Sequence, residues 1–537
     1  MSEPLPSGGV SRTEALVVLT LSAVAGGLWS LLVGQDTNWD QRNYHIYSVH
    51  AWLTGRTFTD LAPAQIQTWL NPLFYVPSYL LILYTPPLVA GVTTGALSGL
   101  NGMLVWILAR RLCASYPQSM ARWCALWVTV IGVSGSMFLS FVGTTFGECL
   151  PPVLAALICI TTARGSWPQS DGARLFAAGC CLGFACGVKL TNLVYALGLT
   201  TTLLVIWPFV RFRLAHMGAY AAGGAAGFVA GGGYWSAMLW TNFRNPVFPF
   251  FNGIFKSPWY EPVNFQDTAY LPESFLRAAF LYPFEWLLGF FRPSNPLFFR
   301  EPRFAFVAML LPVALAVALV RLRGNLRREP EGGDSTSARD FWVMSLFFVF
   351  SYVFWLTRFG VQRYLLALEV LTGVVLLLSL GRLLRSAREV AVVLALITVA
   401  SLLWTRATDW GHVPYEASWY GITHAEDPTA RTLYIMTGGE PTSYVIPYLP
   451  DTARFVRVAS NMPLEPVLPL GQRALRIVYQ HEGPIRTLSV GAAEHDRERL
   501  LRFGLRIEPS TCRSFRSRLD TFWTCALTRM PYSGGAQ

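Results

Sequence analysis

The chain has 537 residues, of which 14% are charged and 53% hydrophobic, against roughly 25% charged residues in an average soluble chain. A string of water-soluble domains is excluded, because apolar runs long enough to cross a hydrocarbon core of about 30 Å recur along it. The net charge of +11 does not point to nucleic acid, since the basic residues sit in short clusters between apolar runs, as membrane topology demands.

The first apolar run, Ala15 to Val33, follows a polar leader whose only basic residue is Arg12. Ala23-Val24-Ala25 mimics a signal-peptidase site, yet the run continues through Leu28, Leu31 and Leu32, which favours an uncleaved span. Further runs at 87–109, 123–141, 149–163, 175–188, 191–209, 217–238, 302–320, 341–356, 364–380 and 390–404 predict an α-helical polytopic membrane protein of about eleven spans. Lys189 interrupts 175–209, which reads either as two short spans or as one span plus a re-entrant piece. With the N-terminus in the cytoplasm, the cytoplasmic turns carry Arg110, Arg111 and Arg122, then Arg164 and Arg174, Arg211 and Arg213, Arg321 to Arg328, and Arg382 to Arg388. An odd number of crossings puts the C-terminus outside. Residues 1–404 are thus expected to form a transmembrane domain with two large external loops, 34–86 and 239–300, whose aromatic and amphipathic stretches suit the membrane interface.

Residues 405–537 change character. Strand-like runs at Thr432 to Met436, Phe455 to Ala459 and Leu475 to Tyr479, with a helix-like segment near 494–503, predict a small extracytoplasmic α/β domain. Gly438 and Gly439 form either a simple turn or a phosphate cradle. Seven of the nine cysteines lie in the spanning part without zinc-ligand spacing and read as small packing residues. Cys512 and Cys525 bracket a short loop and predict a disulfide in an oxidising compartment.

The densest polar cluster, Asn38-Trp39-Asp40-Gln41-Arg42-Asn43-Tyr44-His45, follows the first span. On a helix over 41–55, Asp40, Asn43, Tyr44 and Tyr47 share a face. Asp40 can act there as a general base, or cap the helix, or both. Asp60, Gln65 and Asn71 lie in a segment without helix or strand period that can line a sugar pocket. Glu148 and Glu285 sit near span ends, where ionisable groups are costly unless they serve a site. Lys189, inside an apolar stretch, demands a phosphate or carboxylate partner. Arg244, Asn245, Arg358 and Arg363 add polar and cationic groups, and a guanidinium fork suits bidentate phosphate contact. A base with several cations suits sugar transfer from a lipid phosphate to a hydroxyl.

The motif Trp39-Asp40-Gln-Arg-Asn-Tyr44 after the first span resembles the acidic first-loop motif of the GT-C superfamily, polytopic glycosyltransferases that use polyprenyl-phosphate-linked sugars. The segments Ala62-Pro-Ala-Gln-Ile-Gln-Thr-Trp-Leu-Asn71-Pro72, Gly187-Val-Lys189-Leu-Thr, Arg244-Asn245-Pro246 and Gln362-Arg363-Tyr364 are similar to a bacterial branch of GT-C-like proteins. The resemblance implies that Asp40 is the base and Arg363 a donor-phosphate contact. Tyr44, His45 and the other polar residues named above are the candidate substrate-binding residues. Gln41 stands where better-known branches often carry a second acid, which leaves a divalent cation open. Without a WWD-type signature, transfer of oligosaccharide to protein Asn is not expected. The expected activity is inverting transfer of one sugar to a glycan, lipid or protein acceptor at the bacterial inner membrane. The rivals are a transporter or flippase of lipid-linked glycans, whose polar groups would line a path across the bilayer, and a non-catalytic membrane scaffold.

Overall fold

The computed structural model describes residues 10–161, 171–206, 214–325, 335–423, 431–462, 464–491 and 496–531. Of the arginines assigned to cytoplasmic turns, Arg164, Arg211, Arg213, Arg327 and Arg328 lie outside them. The described chain is mostly helical. Helix α1 (Arg12–Val33) leads through strand β1 (Gln35–Asp36) and a π-helical turn (Gln41–His45) into α2 (Ile46–Leu53) and α3 (Val76–Tyr84). Then come α4 (Pro87–Leu97), α5 (Gly99–Leu112), α6 (Gln118–Val133), α7 (Ser136–Phe141), α8 (Leu150–Ile160), α9 (Asp171–Val188) and α10 (Leu193–Ile206). They are followed by α11 (Leu214–Phe228), α12 (Tyr234–Phe243), α13 (Asn252–Phe255), α14 (Phe275–Leu288), α15 (Arg303–Asn325), α16 (Ser335–Arg358), α17 (Leu366–Leu383) and α18 (Ala387–Trp404).

Among the described residues seven segments are helical, long and apolar enough to cross a membrane: α1, α4 with α5, α9, α15, α16, α17 and α18. The other four predicted runs also form helices, but shorter or interrupted ones. The run at 123–141 breaks at Ser134-Gly135, between α6 and α7. The run at 217–238 passes through a π-helical stretch, Val229–Gly233, between α11 and α12. Lys189 separates two helices, α9 and α10. Glycine explains why α9 and α11 can touch: a side chain on Gly183 would overlap the backbone of Gly224 and Phe228. Such small-residue contacts let membrane helices approach by backbone.

The chain divides into two compact units. One, essentially helical, comprises Met1–Val33, Gly91–Gly233 and Asp267–Trp410. The other comprises Gly34–Ala90, Tyr234–Gln266 and Gly411–Gln537. It holds the remaining elements: β2 (His412–Val413), β3 (Leu433–Met436), β4 (Arg454–Arg457), α19 (Pro469–Gln480), β5 (Ile485–Val490), α20 (Arg497–Arg502), β6 (Leu505–Ile507), β7 (Arg513–Arg516), β8 (Thr521–Thr524) and β9 (Leu527–Arg529).

Its five-stranded sheet has the order β4-β3-β5-β8-β7, with β4, β3 and β5 parallel and β8 and β7 antiparallel. Leu61, from the loop after the first span, extends the β4 edge: its amide donates to Phe455 O (2.9 Å) and its carbonyl accepts from Arg457 N (3.0 Å). The expected strand at Leu475 to Tyr479 is instead part of α19. Leu470, Gly471, Ala474, Ile477 and Val478 are its buried residues, a helical spacing that the β-branched run conceals. The expected turn at Gly438-Gly439 is pinned by its carbonyls: Arg457 donates to Gly438 O (2.5 Å) and Glu440 O (3.2 Å), and Gln65 to Gly439 O (3.0 Å). Burial lowers the Arg457 pKa to about 9.

Cys512 and Cys525 form the expected disulfide. Replacing both with Ser is expected to cost about 2–4 kcal/mol, read as a lower unfolding midpoint of the purified protein; reductant should lower the wild-type midpoint equally and leave the double variant unmoved.

Candidate active site

In the mixed unit the first polar cluster is built on a clamped turn. Strand β1 pairs antiparallel with β2, Gln35 opposite Val413 and Asp36 opposite His412. The buried Asp36 carboxylate accepts from the Asn38 amide (3.0 Å), Asn38 Nδ2 (2.8 Å) and Gln41 Nε2 (2.9 Å). Asn38 Oδ1 then accepts from the Gln41 amide (2.8 Å). Asn38, not Asp40, therefore satisfies a free amide at the start of the helix, and Asp40 makes no capping bond. The neighbours of Asp40 are also held from the C-terminal segment. Gln41 Oε1 accepts from Trp419 Nε1 (3.1 Å) and Tyr420 Oη (3.0 Å), and Arg42 pairs with Asp520 (3.3 Å).

Asp40 itself is 8% exposed, and its carboxylate accepts from Tyr44 Oη (3.3 Å). Behind it stand aromatic rings: His45 stacks on Tyr75 at 3.9 Å, and Tyr44 meets Tyr75 edge-on at 5.5 Å. The face expected for Asp40, Asn43, Tyr44 and Tyr47 divides its tasks. Asn43 donates to Ala64 O (3.2 Å) and Tyr47 to Asp60 (3.1 Å), so these two anchor the 60–67 segment.

Asp60 is buried and thoroughly engaged. It accepts from Arg56 Nε and Nη2 (both 3.2 Å), Tyr47 Oη and the Phe455 amide (3.0 Å). Burial pushes its carboxyl pKa up against the opposing pull of Arg56. Arg56→Ala should leave that carboxylate uncompensated and cost about 3–5 kcal/mol of stability; chemical denaturation of the purified protein reads it, and a change below ~1 kcal/mol, the scale of an exposed pair, would contradict it. Gln65 accepts from the Asn461 amide (2.8 Å), and Asn71 accepts from the Leu73 amide (3.0 Å) within its own turn. Asn245 is buried and organises its loop through Val247 N and Phe250 O (both 3.0 Å), while Arg244 is exposed at a positive φ of 55°.

The helical unit brings together three of the expected residues. Between α9 and α10 the backbone extends at Lys189, and Lys189 Nζ donates to Glu148 Oε1 (2.7 Å) and Gly147 O (2.9 Å). Thr191 Oγ1 donates to Glu148 Oε2 (2.8 Å). The partner demanded by Lys189 is thus the carboxylate of Glu148. Alongside, a 3-10 turn over Gln362–Leu365 presents Arg363. Its guanidinium lies 5.0 Å from the Tyr364 ring and 5.9 Å from that of Phe146, and Lys189 Nζ is 5.9 Å from the Tyr364 ring. Tyr195 Oη donates to Tyr364 O (2.6 Å), which fixes this turn against α10. Arg358 is exposed at the end of α16, and Glu285 is occupied by Arg277 (2.9 Å).

A second buried network escaped the sequence analysis. Glu369 accepts from Met137 N (3.1 Å), Phe138 N (2.9 Å), Ser136 Oγ (3.3 Å) and Gln362 Nε2 (3.3 Å). Glu301 accepts from Ser136 N (3.0 Å) and pairs with the buried Arg303 (2.7 Å). The available signal was one glutamate inside the apolar run 364–380. Among the described residues no three His, Cys, Asp or Glu side chains form a metal-binding set.

No protein-family model matches the chain, and no curated protein matches it. Among solved structures, ArnT from Cupriavidus metallidurans in the apo state aligns over 96% of this chain and 98% of its own, with a TM-score of 0.52 at 12% identity. The chain has the ArnT fold. A second crystal structure, of ArnT from the same organism bound to undecaprenyl phosphate, aligns over 98% of this chain and 100% of its own, with a TM-score of 0.44 at 14% identity. The apo ArnT match covers the helices and the C-terminal sheet alike. It bears out the expected α-helical polytopic fold with a small C-terminal α/β domain.

Proposed function

We propose that the chain is a glycosyltransferase of the inner membrane that moves a sugar from a polyprenyl-phosphate carrier to an extracytoplasmic hydroxyl acceptor. The observation that carries this reading is the clamped turn at 36–42. It engages Asp36, Asn38, Gln41 and Arg42 in structural bonds and gives the Asp40 carboxylate a hydroxyl, Tyr44 Oη, at 3.3 Å. In the reaction Asp40 removes the acceptor's hydroxyl proton, the freed oxygen attacks the anomeric carbon from the side opposite the phosphate, and the bond from that carbon to the phosphate oxygen breaks with inversion. Arg363 and Lys189 carry positive charge for the leaving phosphate, with Glu148 holding the ammonium in place. Tyr44, His45 and Tyr75 provide rings for a sugar face. Asp60, Gln65, Asn71 and Asn245 shape the surrounding loops, and Arg244 and Arg358 offer exposed cations to the donor or the membrane surface.

The topology belongs to the same proposal: residues 1–404 form the membrane domain with external loops 34–86 and 239–300, 405–537 is extracytoplasmic and the N-terminus is cytoplasmic. Its supports are the arginine-bearing turns, the Cys512 to Cys525 disulfide, and the packing of 34–90, 234–266 and 411–537 in one compact unit, which fits all three lying on one side of the bilayer.

Purified protein in proteoliposomes, supplied with polyprenyl-phosphate sugars and candidate acceptors, should release free polyprenyl phosphate. Movement of uncleaved donor between leaflets, without release, would instead establish a flippase.

A further inference from the structure

We propose that Glu369 is the positioning residue of the Glu148, Lys189 and Arg363 cluster; its functional meaning rests on reading that cluster as the phosphate side of the transferase. One buried carboxylate holds two arms. Through the Met137 and Phe138 amides and the Ser136 hydroxyl it anchors the start of α7, and the chain leaving α7 carries Gly147 and Glu148, the partners of Lys189. Through Gln362 Nε2 it anchors the residue that precedes Arg363.

The chemistry at this point calls for a carboxylate. Free amides at a helix start favour negative charge, and the converging groups include two backbone N–H, a side-chain amide and a hydroxyl. A glutamine there would set its own NH₂ against some of those donors. Gly135 leaves the room: a side chain at this position would occupy the space of the Glu369 carboxylate. This insertion from α17 is also what splits the apolar run 123–141 into α6 and α7. The same short helix is pinned at its other end, where Trp410 Nε1 donates to Ser140 Oγ (3.2 Å).

The composition supplies a readout independent of activity. Lys189 and Lys256 are the only lysines, and Lys256 is exposed in the other compact unit. Acylation of the purified full chain by an amine reagent, followed by peptide mass spectrometry, therefore reports Lys189 against an internal reference. Glu369→Gln should raise the Lys189 to Lys256 acylation ratio by about tenfold, the scale of one lost charge-assisted hydrogen bond. Gly135→Ala should raise it in the same direction without altering Glu369, and Glu369→Asp should fall between wild type and Glu369→Gln. Leu376→Ala, a cavity elsewhere on α17, should leave it unchanged.

An unchanged ratio in both Glu369→Gln and Gly135→Ala overturns the proposal, and an equal rise in Leu376→Ala reduces Glu369 to a general packing role and overturns it too. If the wild type turns over donor, its loss across the Glu369 variants should follow the acylation ratio. If the wild type is inert toward every donor, the transferase reading fails, while the acylation ratios still decide whether Glu369 positions the cluster.

Discussion

Exchanging Asp40 for Asn is expected to lower the proposed sugar transfer by about 10²–10⁴-fold, the range that a general base contributes, and to leave folding and donor binding intact. The reason for the second half is local. Asn38 supplies the bond to the Gln41 amide at the helix start, and Asp36, Trp419 and Tyr420 hold Asn38 and Gln41 on either side of Asp40. An Asn at 40 keeps an oxygen for Tyr44 Oη and loses only the capacity to take a proton at neutral pH. Release of polyprenyl phosphate gives the rate, and thermal unfolding in detergent gives stability. If the variant retains most of the wild-type rate, Asp40 is not the base. A fallen rate with an equally fallen unfolding midpoint assigns Asp40 to the scaffold.

Lys189→Met is expected to destabilise the helical unit by about 3–5 kcal/mol, because it strands a buried carboxylate. Glu148 is 3% exposed, and Lys189 Nζ at 2.7 Å is its cationic partner, with Thr191 adding a neutral hydroxyl donor. Glu148→Gln in the same chain removes the stranded charge and should restore most of the lost stability. The double variant should nonetheless bind polyprenyl phosphate weakly, since the ammonium is gone. Unfolding midpoints of the two single variants and the double variant, completed by a binding titration with polyprenyl phosphate, form the test. Additive losses in the double variant would mean that the ion pair is not coupled, and undiminished lipid binding would remove Lys189 from the phosphate site.

Much of this was readable from local pattern. Each apolar run became helix over most of its described residues, the acidic turn after the first span became a held turn, and Cys512 found Cys525 across a short loop. Local pattern misled where two periods overlapped. The Leu475 to Tyr479 run looks like a strand because Ile477 and Val478 are β-branched, but Leu470 and Ala474 complete a helical face. The tertiary structure also redistributed the polar residues of the first loop. Asp60 carries a carboxylate like that of Asp40 and Gln65 a polar amide, yet they are occupied by Arg56, Phe455, Gly439 and Asn461.

From the sequence alone came the membrane-spanning class, the approximate place of the apolar runs and the need of Lys189 for an anionic partner. Those follow from composition and short-range periodicity, which act within one helix or one turn. Only the folded chain decided that Glu148 is that partner, that Leu61 joins the sheet edge beside β4, and that Glu369 breaks a helix more than two hundred residues before it. Burial forces each charge or backbone group to find a complement, but which one it finds depends on packing between distant segments, and no local pattern encodes that choice.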